Sequence, residues 1–267
     1  MRKDDIGSNV RQLQRLLIDA GFRITADGWF GSETEQALIA FQHRAGIVAD
    51  GIAGPKTIAA LSTRNRDPRL LAEADLEAAA ARLGVPVAAI KAVNEVESRG
   101  AGFLPDGRPV ILYERHIAWR LLADHDQAAA ERAAIRYPNL VSRERGGYAG
   151  GSAEWSRLAT ARSVIPPDIA LQACSWGQFQ IMGYHWQALA YASVDAFVRA
   201  MHCSESVQLE AFVRFVESQP GLLKALKSRK WADFARLYNG PAYKSNLYDI
   251  KLARAFERYS HPAEDAA

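Results

Sequence analysis

Within the first 64 residues one pattern occurs twice. Asp27-Gly28-Trp29-Phe30-Gly31-Ser32-Glu33-Thr34 returns 23 positions later as Asp50-Gly51-Ile52-Ala53-Gly54-Pro55-Lys56-Thr57, and Ala37-Leu38 returns as Ala60-Leu61 at the same offset. Each copy reads as a glycine-rich turn, where glycine permits positive φ, feeding a helix whose first turn carries Thr34 or Thr57. Val10, Leu13, Leu16 and Leu17 form a helical apolar stripe before the first copy, and Ala37, Leu38 and Phe41 form another between the two. The repeat therefore restricts this region to a small three-helix module. It contains no paired acid/base constellation, so it is expected to bind rather than cut.

The motifs Leu13-Gln14, Asp27 to Gly31, Phe41-Gln42 and Asp50 to Thr57 follow the pattern of the type 1 peptidoglycan-binding domain, which this region resembles nearly end to end. The resemblance implies bacterial peptidoglycan as the ligand, with Asp27, Trp29, Phe30 and Gln42 as its contacts. The other reading is that the Asp-Gly turns only connect helices, as their glycines suggest.

A charged, proline-containing stretch, Thr63-Arg64-Asn65-Arg66-Asp67-Pro68-Arg69, interrupts the helical pattern. It divides the chain into a binding module at 1–64, a linker at 65–70 and a second domain at 71–267. Helical periodicity resumes at Leu70 and ends at Leu83-Gly84, where Gly84 fits a C-cap, and Pro86 suits the first turn of the next helix. That helix runs through Ala88-Ala89-Ile90-Lys91-Ala92-Val93-Asn94-Glu95-Val96-Glu97-Ser98 and stops at Arg99-Gly100-Ala101-Gly102. At about 100° per residue Ala89, Ile90, Val93 and Val96 share one side, with Glu97 on or beside that apolar arc and Glu95 pointing away, beside Lys91. A carboxylate held against apolar surface is costly to ionise, so Glu97 is expected to keep its proton to higher pH and serve as a general acid. The plain alternative is a helix-end carboxylate that reaches into solvent.

Val96-Glu97-Ser98-Arg99-Gly100, Ser175-Trp176-Gly177-Gln178-Phe179-Gln180 and Tyr238-Asn239-Gly240 are similar to three motifs of the goose-type lysozyme and lytic transglycosylase superfamily: a helix ending in Glu-Ser, a Ser-x-Gly-x-x-Gln segment, and Tyr-Asn. From Gly102 to Pro109 and from Leu112 to His116 the chain resembles the N-acetylmuramidase domain of modular phage endolysins. The resemblance implies a lysozyme-like, mainly α-helical domain in which Glu97 is the catalytic acid. Ser175, Gln178 and Gln180 would lie opposite it, and Tyr238 with Asn239 would line the cleft.

Pro109-Val110-Ile111-Leu112-Tyr113-Glu114 mixes β-branched and aromatic residues and reads as a short strand, at most part of a hairpin. Glu114 leaves it toward a helix, His116 to Ala123. It is either a salt-bridged structural carboxylate or a second site carboxylate that holds water or steadies a cationic sugar. Tyr137 to Gly151 reads as a loop. Its Tyr148, and Trp155 beyond, either stack on sugar rings or plug a small core. Further helices are expected over Pro167 to Cys174, Val194 to Met201, Val207 to Val216, Leu222 to Leu226, Trp231 to Leu237 and Leu247 to Tyr259.

Composition matters for what it excludes. A formal charge of +3, with no run of five Lys or Arg, argues against a nucleic-acid partner. The amino terminus lacks an apolar signal region and no 18-residue apolar run exists, so the chain is expected to be made in the host cytoplasm, not inserted in membrane, and to reach the periplasmic wall after the membrane is permeabilised. Cys174 and Cys203 lack a Cys-x-x-Cys partner pattern and read as buried thiols. The histidines show no metal-ligand spacing, so neither metal nor cofactor is expected. The resulting expectation is a monomeric wall hydrolase that cuts the β-1,4 bond between N-acetylmuramic acid and N-acetylglucosamine. The alternatives are a lytic transglycosylase giving 1,6-anhydro products, a non-enzymatic wall-binding protein, and an amidase, for which no zinc pattern or Cys-His pair is recognisable.

Overall fold

The computed structural model describes residues 1–63, 67–97 and 101–260. Ser98, Arg99 and Gly100 of the helix-end motif, and residues 64–66 at the expected linker, lie outside the described residues. Along the chain, helices α1 (Ser8–Asp19), α2 (Ser32–Arg44) and α3 (Pro55–Thr63) precede α4 (Glu73–Leu83) and α5 (Val87–Glu97). Strand β1 (Ile111–Tyr113) leads into α6 (Arg115–His125), α7 (Gln127–Arg136), α8 (Ala153–Val164) and the short α9 (Pro167–Gln172). Strands β2 (Cys174–Trp176) and β3 (Ile181–Met182) follow, then α10 (Val194–Met201), α11 (Glu205–Ser218), α12 (Pro220–Lys227), α13 (Trp231–Asn239) and α14 (Tyr248–Ser260). Packing divides the chain into two compact units, residues 1–96 with 225–267, and residues 97–224. Among the described residues no helix is long and apolar enough to cross a membrane.

In the first unit the repeat forms a three-helix module around Val10, Leu13, Leu17, Phe30, Leu38, Phe41 and Leu61. Each repeat turn is wrapped around a glutamine. Gln14 Nε2 donates to Asp27 Oδ1 (2.8 Å), Trp29 O (2.9 Å) and Thr34 Oγ1 (3.0 Å), while its Oε1 accepts from Gly28 N at 2.8 Å. Gln42 repeats the pattern on Asp50 (2.8 Å), Ile52 O (3.1 Å), Thr57 (3.2 Å) and Gly51 N (2.9 Å). A buried carboxamide is tolerated only when its polar atoms are satisfied, and each turn supplies the partners. The expectation that Phe30 and Gln42 contact a ligand therefore gives way. Both are fully buried, Phe30 as core and Gln42 as the hub of the second turn. Trp29 is the exposed aromatic, at 54%.

The module also packs on the helices that follow it in the same unit. Lys91 of α5 donates to Ala49 O (2.9 Å) and pairs with Glu73 of α4 at 2.5 Å, while Glu73 accepts from Ala49 N (3.0 Å). The start of the second repeat turn is thus held at both backbone polar groups of one residue, Ala49. The sequence cut at 65–70 and the packing cut fall at different places, because the first follows local pattern and the second follows contacts. Gly84 caps α4 at φ +64° as expected. On α5, Ala89, Ile90 and Val93 are buried and Val96 is half-buried.

The second unit is built around a three-stranded antiparallel sheet in the order β1-β2-β3, one strand more than the expected hairpin. Strands of two or three residues are too short to show alternation in a sequence. Ile111 pairs with Trp176, Leu112 with Ser175 and Tyr113 with Cys174. Tyr113, Trp176, Phe197 and Phe212 form the bulk of its buried aromatic core. Of the two thiols, Cys174 is buried, but Cys203 is exposed rather than buried as expected. Helix α10 ends two residues earlier, so no later helical turn covers its thiol.

Candidate active site

Glu97 is the last residue of α5, and at 8% exposure it is a buried carboxyl at a helix end. The apolar arc that leads to it explains the burial. Further along the chain, at Gly102, a buried polar cluster takes hold. Gly102 N donates to Glu205 Oε1 (2.8 Å), and Gln208 Nε2 donates to Gly102 O (3.2 Å) and Met201 O (2.9 Å). The same Gln208 accepts from Gln178 N through Oε1 at 2.7 Å. One side chain of α11 therefore joins the segment after the Glu97 helix to the Ser175–Gln180 turn. Both glycines at this junction are steric necessities. A Cβ on Gly102 would approach Gln208 Cδ to 3.0 Å and Glu205 Cγ to 2.8 Å, and one on Gly177, whose φ is +71°, would approach Gln208 Cδ to 2.6 Å.

The turn itself is internally bonded. Ser175 Oγ donates to Gln180 Oε1 (2.9 Å), and Gln180 Nε2 donates to Gly177 O (2.8 Å). Gln180 therefore shapes the turn, at a strained φ of +51°. Gln178 is buried.

Glu114 stands where β1 passes into α6. Its N–H donates to Ala173 O (2.9 Å), continuing the β1–β2 ladder, and its carbonyl accepts from Ile117 and Ala118 at the start of α6. Side chains two apart on a strand share a face, so Glu114 and Leu112, with Ser175 opposite Leu112, lie on one side of the sheet while Tyr113 points into the core. The Glu114 carboxyl is 7% exposed in its residue and accepts from Tyr148 Oη at 2.8 Å. His116 Nδ1 lies 3.2 Å from the same oxygen, yet it makes no aligned hydrogen bond. The two are therefore close electrostatic neighbours without a hydrogen bond. Burial pulls the His116 pKa below its usual value against the opposing pull of Glu114, with Arg145, Arg120 and Arg115 reinforcing burial. Its imidazole is therefore neutral at neutral pH. Burial, then the bond to Glu114, raises the Tyr148 phenol, which stays protonated as the donor.

Tyr148 is delivered by a glycine-rich loop fastened at both ends. Arg115 donates to Pro138 O (3.2 Å), Glu144 O (3.0 Å) and Arg145 O (3.0 Å) on one side. On the other, Glu154 Oε1 accepts from Ala149 N (2.6 Å) and Gly150 N (2.9 Å), and its Oε2 accepts from Tyr113 N (3.1 Å) and Arg157 (2.7 Å). Burial would raise Glu154, but these backbone donors and then Arg157 outweigh it and hold the carboxyl below its usual range. Trp155, next to it, donates to Pro109 O (2.9 Å) and packs edge-on against Trp176, so it serves the core.

Sequence reasoning missed Glu154, Glu205 and Gln208. Buried polar residues look like surface residues in a hydropathy pattern, and only the glycines opposite them carry a trace. Tyr238 and Asn239 close α13 in the first unit, where Tyr238 stacks on Phe234 at 5.7 Å. Among the described residues no cluster of His, Cys, Asp or Glu could hold a metal ion.

Residues 86–260 match the N-acetylmuramidase family, and residues 6–61 match a putative peptidoglycan binding domain. Among solved structures, the crystal structure of a Burkholderia AP3 phage endolysin is 59% identical, with a TM-score of 0.92 and 99% of each chain covered. A 65-residue stretch is 48% identical to a probable N-acetylmuramoyl-L-alanine amidase of Bacillus licheniformis, covering 23% of this chain and 18% of that protein. A 56-residue stretch is 45% identical to the N-acetylmuramoyl-L-alanine amidase CwlM of Mycobacterium tuberculosis, covering 21% of this chain and 14% of that one. The chain thus spans 14–21% of the length of the curated relatives it matches.

Proposed function

This chain belongs to the N-acetylmuramidase family, and from that premise we propose that it is a phage lysin that hydrolyses the β-1,4 bond between N-acetylmuramic acid and N-acetylglucosamine in host peptidoglycan. In this reading residues 1–64 bind the wall, 65–70 form the joint and 71–267 cut. Glu97 protonates the leaving glycosidic oxygen as positive charge develops on the sugar ring. The observation that carries this assignment is a carboxyl buried at the end of an apolar helix face.

Glu114 is the second carboxyl. Tyr148 occupies one lone pair of its Oε2, leaving the rest of the carboxylate to orient a water or face the cationic sugar. Neutral His116 beside it adds no positive charge to compete with that role. In this reading Ser175, Gln178 and Gln180 form the floor opposite Glu97, and Tyr238 and Asn239 are the further substrate contacts that the motif implies.

Glu97→Gln keeps the shape and removes the proton, so lysis of permeabilised cells should fall about 10²–10⁴-fold while pull-down by sacculi is retained. Glu95→Gln should be nearly silent in lysis. A Glu97→Gln protein keeping more than roughly a tenth of wild-type lysis, against the magnitude expected for a lost general acid, would remove Glu97 from the role. Mass spectrometry of wild-type products should show reducing N-acetylmuramic acid ends. Predominantly 1,6-anhydro ends would instead make the enzyme a transglycosylase, and Glu114→Gln with full activity would discard the water holder alone.

A further inference from the structure

The first unit contains an open cleft of about 690 Å³ that the cutting reaction does not use. Five cations line it: Arg2 and Lys3 from the amino terminus, and Lys251, Arg254 and Arg258 from α14. Two are neutralised within the unit. Lys3 pairs with Glu35 at 3.0 Å, and Arg258 pairs with Glu95, which also accepts from Tyr259 Oη at 2.7 Å. Arg2, Lys251 and Arg254 line the cleft with no carboxylate in ion-pair contact among the described residues. On the acidic side Asp4 and Asp50 remain, and Asp50 is already occupied by Gln42 and by Ile52 N at 2.9 Å. The balance at the cleft is therefore positive. No aromatic side chain is among its lining residues, so it has no platform on which a sugar ring stacks.

We propose that this cleft binds the carboxylates of the peptide stems of peptidoglycan, so that wall recognition is shared between the repeat module and helix α14. In that polymer the glycan backbone presents hydroxyls and amides, and the negative charge resides on the peptides. A cationic, non-aromatic cleft discriminates between the two by chemistry. Guanidinium groups on two different segments, Arg2 and Arg254, suit carboxylates because each presents a planar fork of donors. The choice of polymer rests on the muramidase reading, while the cleft's preference for carboxylates stands on its own charges.

The test is a binding measurement on the full chain with a soluble disaccharide-tripeptide, which lacks the bond to be cut, so that binding is read separately from catalysis. Calorimetry should detect binding to it, and amidation of its peptide carboxyls should weaken that binding about tenfold or more, the scale of one charge-assisted hydrogen bond. Arg254→Glu and Lys251→Glu, both exposed on α14, should do the same, and Arg254→Lys, which keeps the charge but loses the planar fork, should keep only part of the affinity. Equal affinity for the amidated and free peptides overturns the proposal. Displacement of the peptide by millimolar inorganic phosphate with no effect of amidation also overturns it, in favour of a phosphate polymer. A wild-type chain that binds the peptide but leaves peptide-free glycan strands uncut would sink the muramidase reading and leave this one standing.

Discussion

The two repeat turns have the same internal wiring and opposite surroundings. Gln14 and Gln42 each bind an aspartate, a glycine N–H, a carbonyl and a threonine hydroxyl in the same order. Yet the first turn presents Trp29 to solvent, while the second carries Ile52 there and is gripped through Ala49 by Glu73 and Lys91. The aspartates register the difference. Asp27 is held below its usual pKa by Trp29 N and Gln14. Burial raises Asp50 despite the same two kinds of bond, and the nearby Glu95 carboxylate adds to the rise. A repeat thus fixes local geometry, and its neighbours decide whether a copy meets ligand or supports the protein.

The strongest way to break this comparison is to remove the hubs. Gln14→Ala and Gln42→Ala each strand a buried glycine N–H and an aspartate, and each should cost about 2–4 kcal/mol in denaturant unfolding. Gln42→Ala should cost more, because the turn it holds is the docked one. Equal losses would show that docking adds no stability.

A smaller effect separates the turns by function. Trp29→Ala should weaken sacculus pull-down about tenfold, on the scale of one lost aromatic stacking contact, with stability shifted by less than roughly 0.5 kcal/mol as for other exposed sites. Ile52→Ala, in the docked copy, should reverse the pattern, with stability lost and pull-down kept. Unchanged pull-down by the Trp29 variant would shift wall contact to another surface.

The smallest effect is the sharpest, because its sign differs between copies. Asp27 has a depressed folded pKa, so its contribution is present above the unfolded value of 3.8 and is lost as pH falls below it. Asp50 has a raised one, so its contribution is full below 3.8 and fades as pH rises through the folded pKa. Asp27→Asn should flatten the stability curve on the acid side of 3.8, and Asp50→Asn on the other. Slopes of the same sign in both variants would mean that the two carboxyls share one environment after all.

Much of this was legible in the residues. The offset repeat announced the module, and the spacing of Ala89, Ile90 and Val93 announced the buried end at Glu97. The hubs were visible too, as a glutamine before each Asp-Gly turn, but a glutamine reads as a surface residue until its partners are known. The alanine-rich α7 and the weakly patterned α8 went unread, and Glu154 went with α8. A carboxylate that joins the nearby Ala149 and Gly150 N–H groups to the distant Tyr113 N–H leaves no signal in a hydropathy pattern. Tyr148 was found as an aromatic among glycines. That it serves Glu114 follows from the anchoring of its loop by Arg115 and Glu154, which hold the loop through its main-chain atoms.

The Gln208 junction has a consequence for how such a chain can change over generations. Its carboxamide fills the space that a Cβ on Gly102 or Gly177 would enter. Either glycine replaced alone meets a collision, and Gln208 shortened alone strands Gln178 N and takes one of two donors from Gly102 O, which keeps Val110 N. With Gln208 shortened to alanine, however, the three atoms nearest to a Cβ at 177 are gone, so those two losses should add to less than their sum. The three positions form one inherited character, crossed in pairs or not at all.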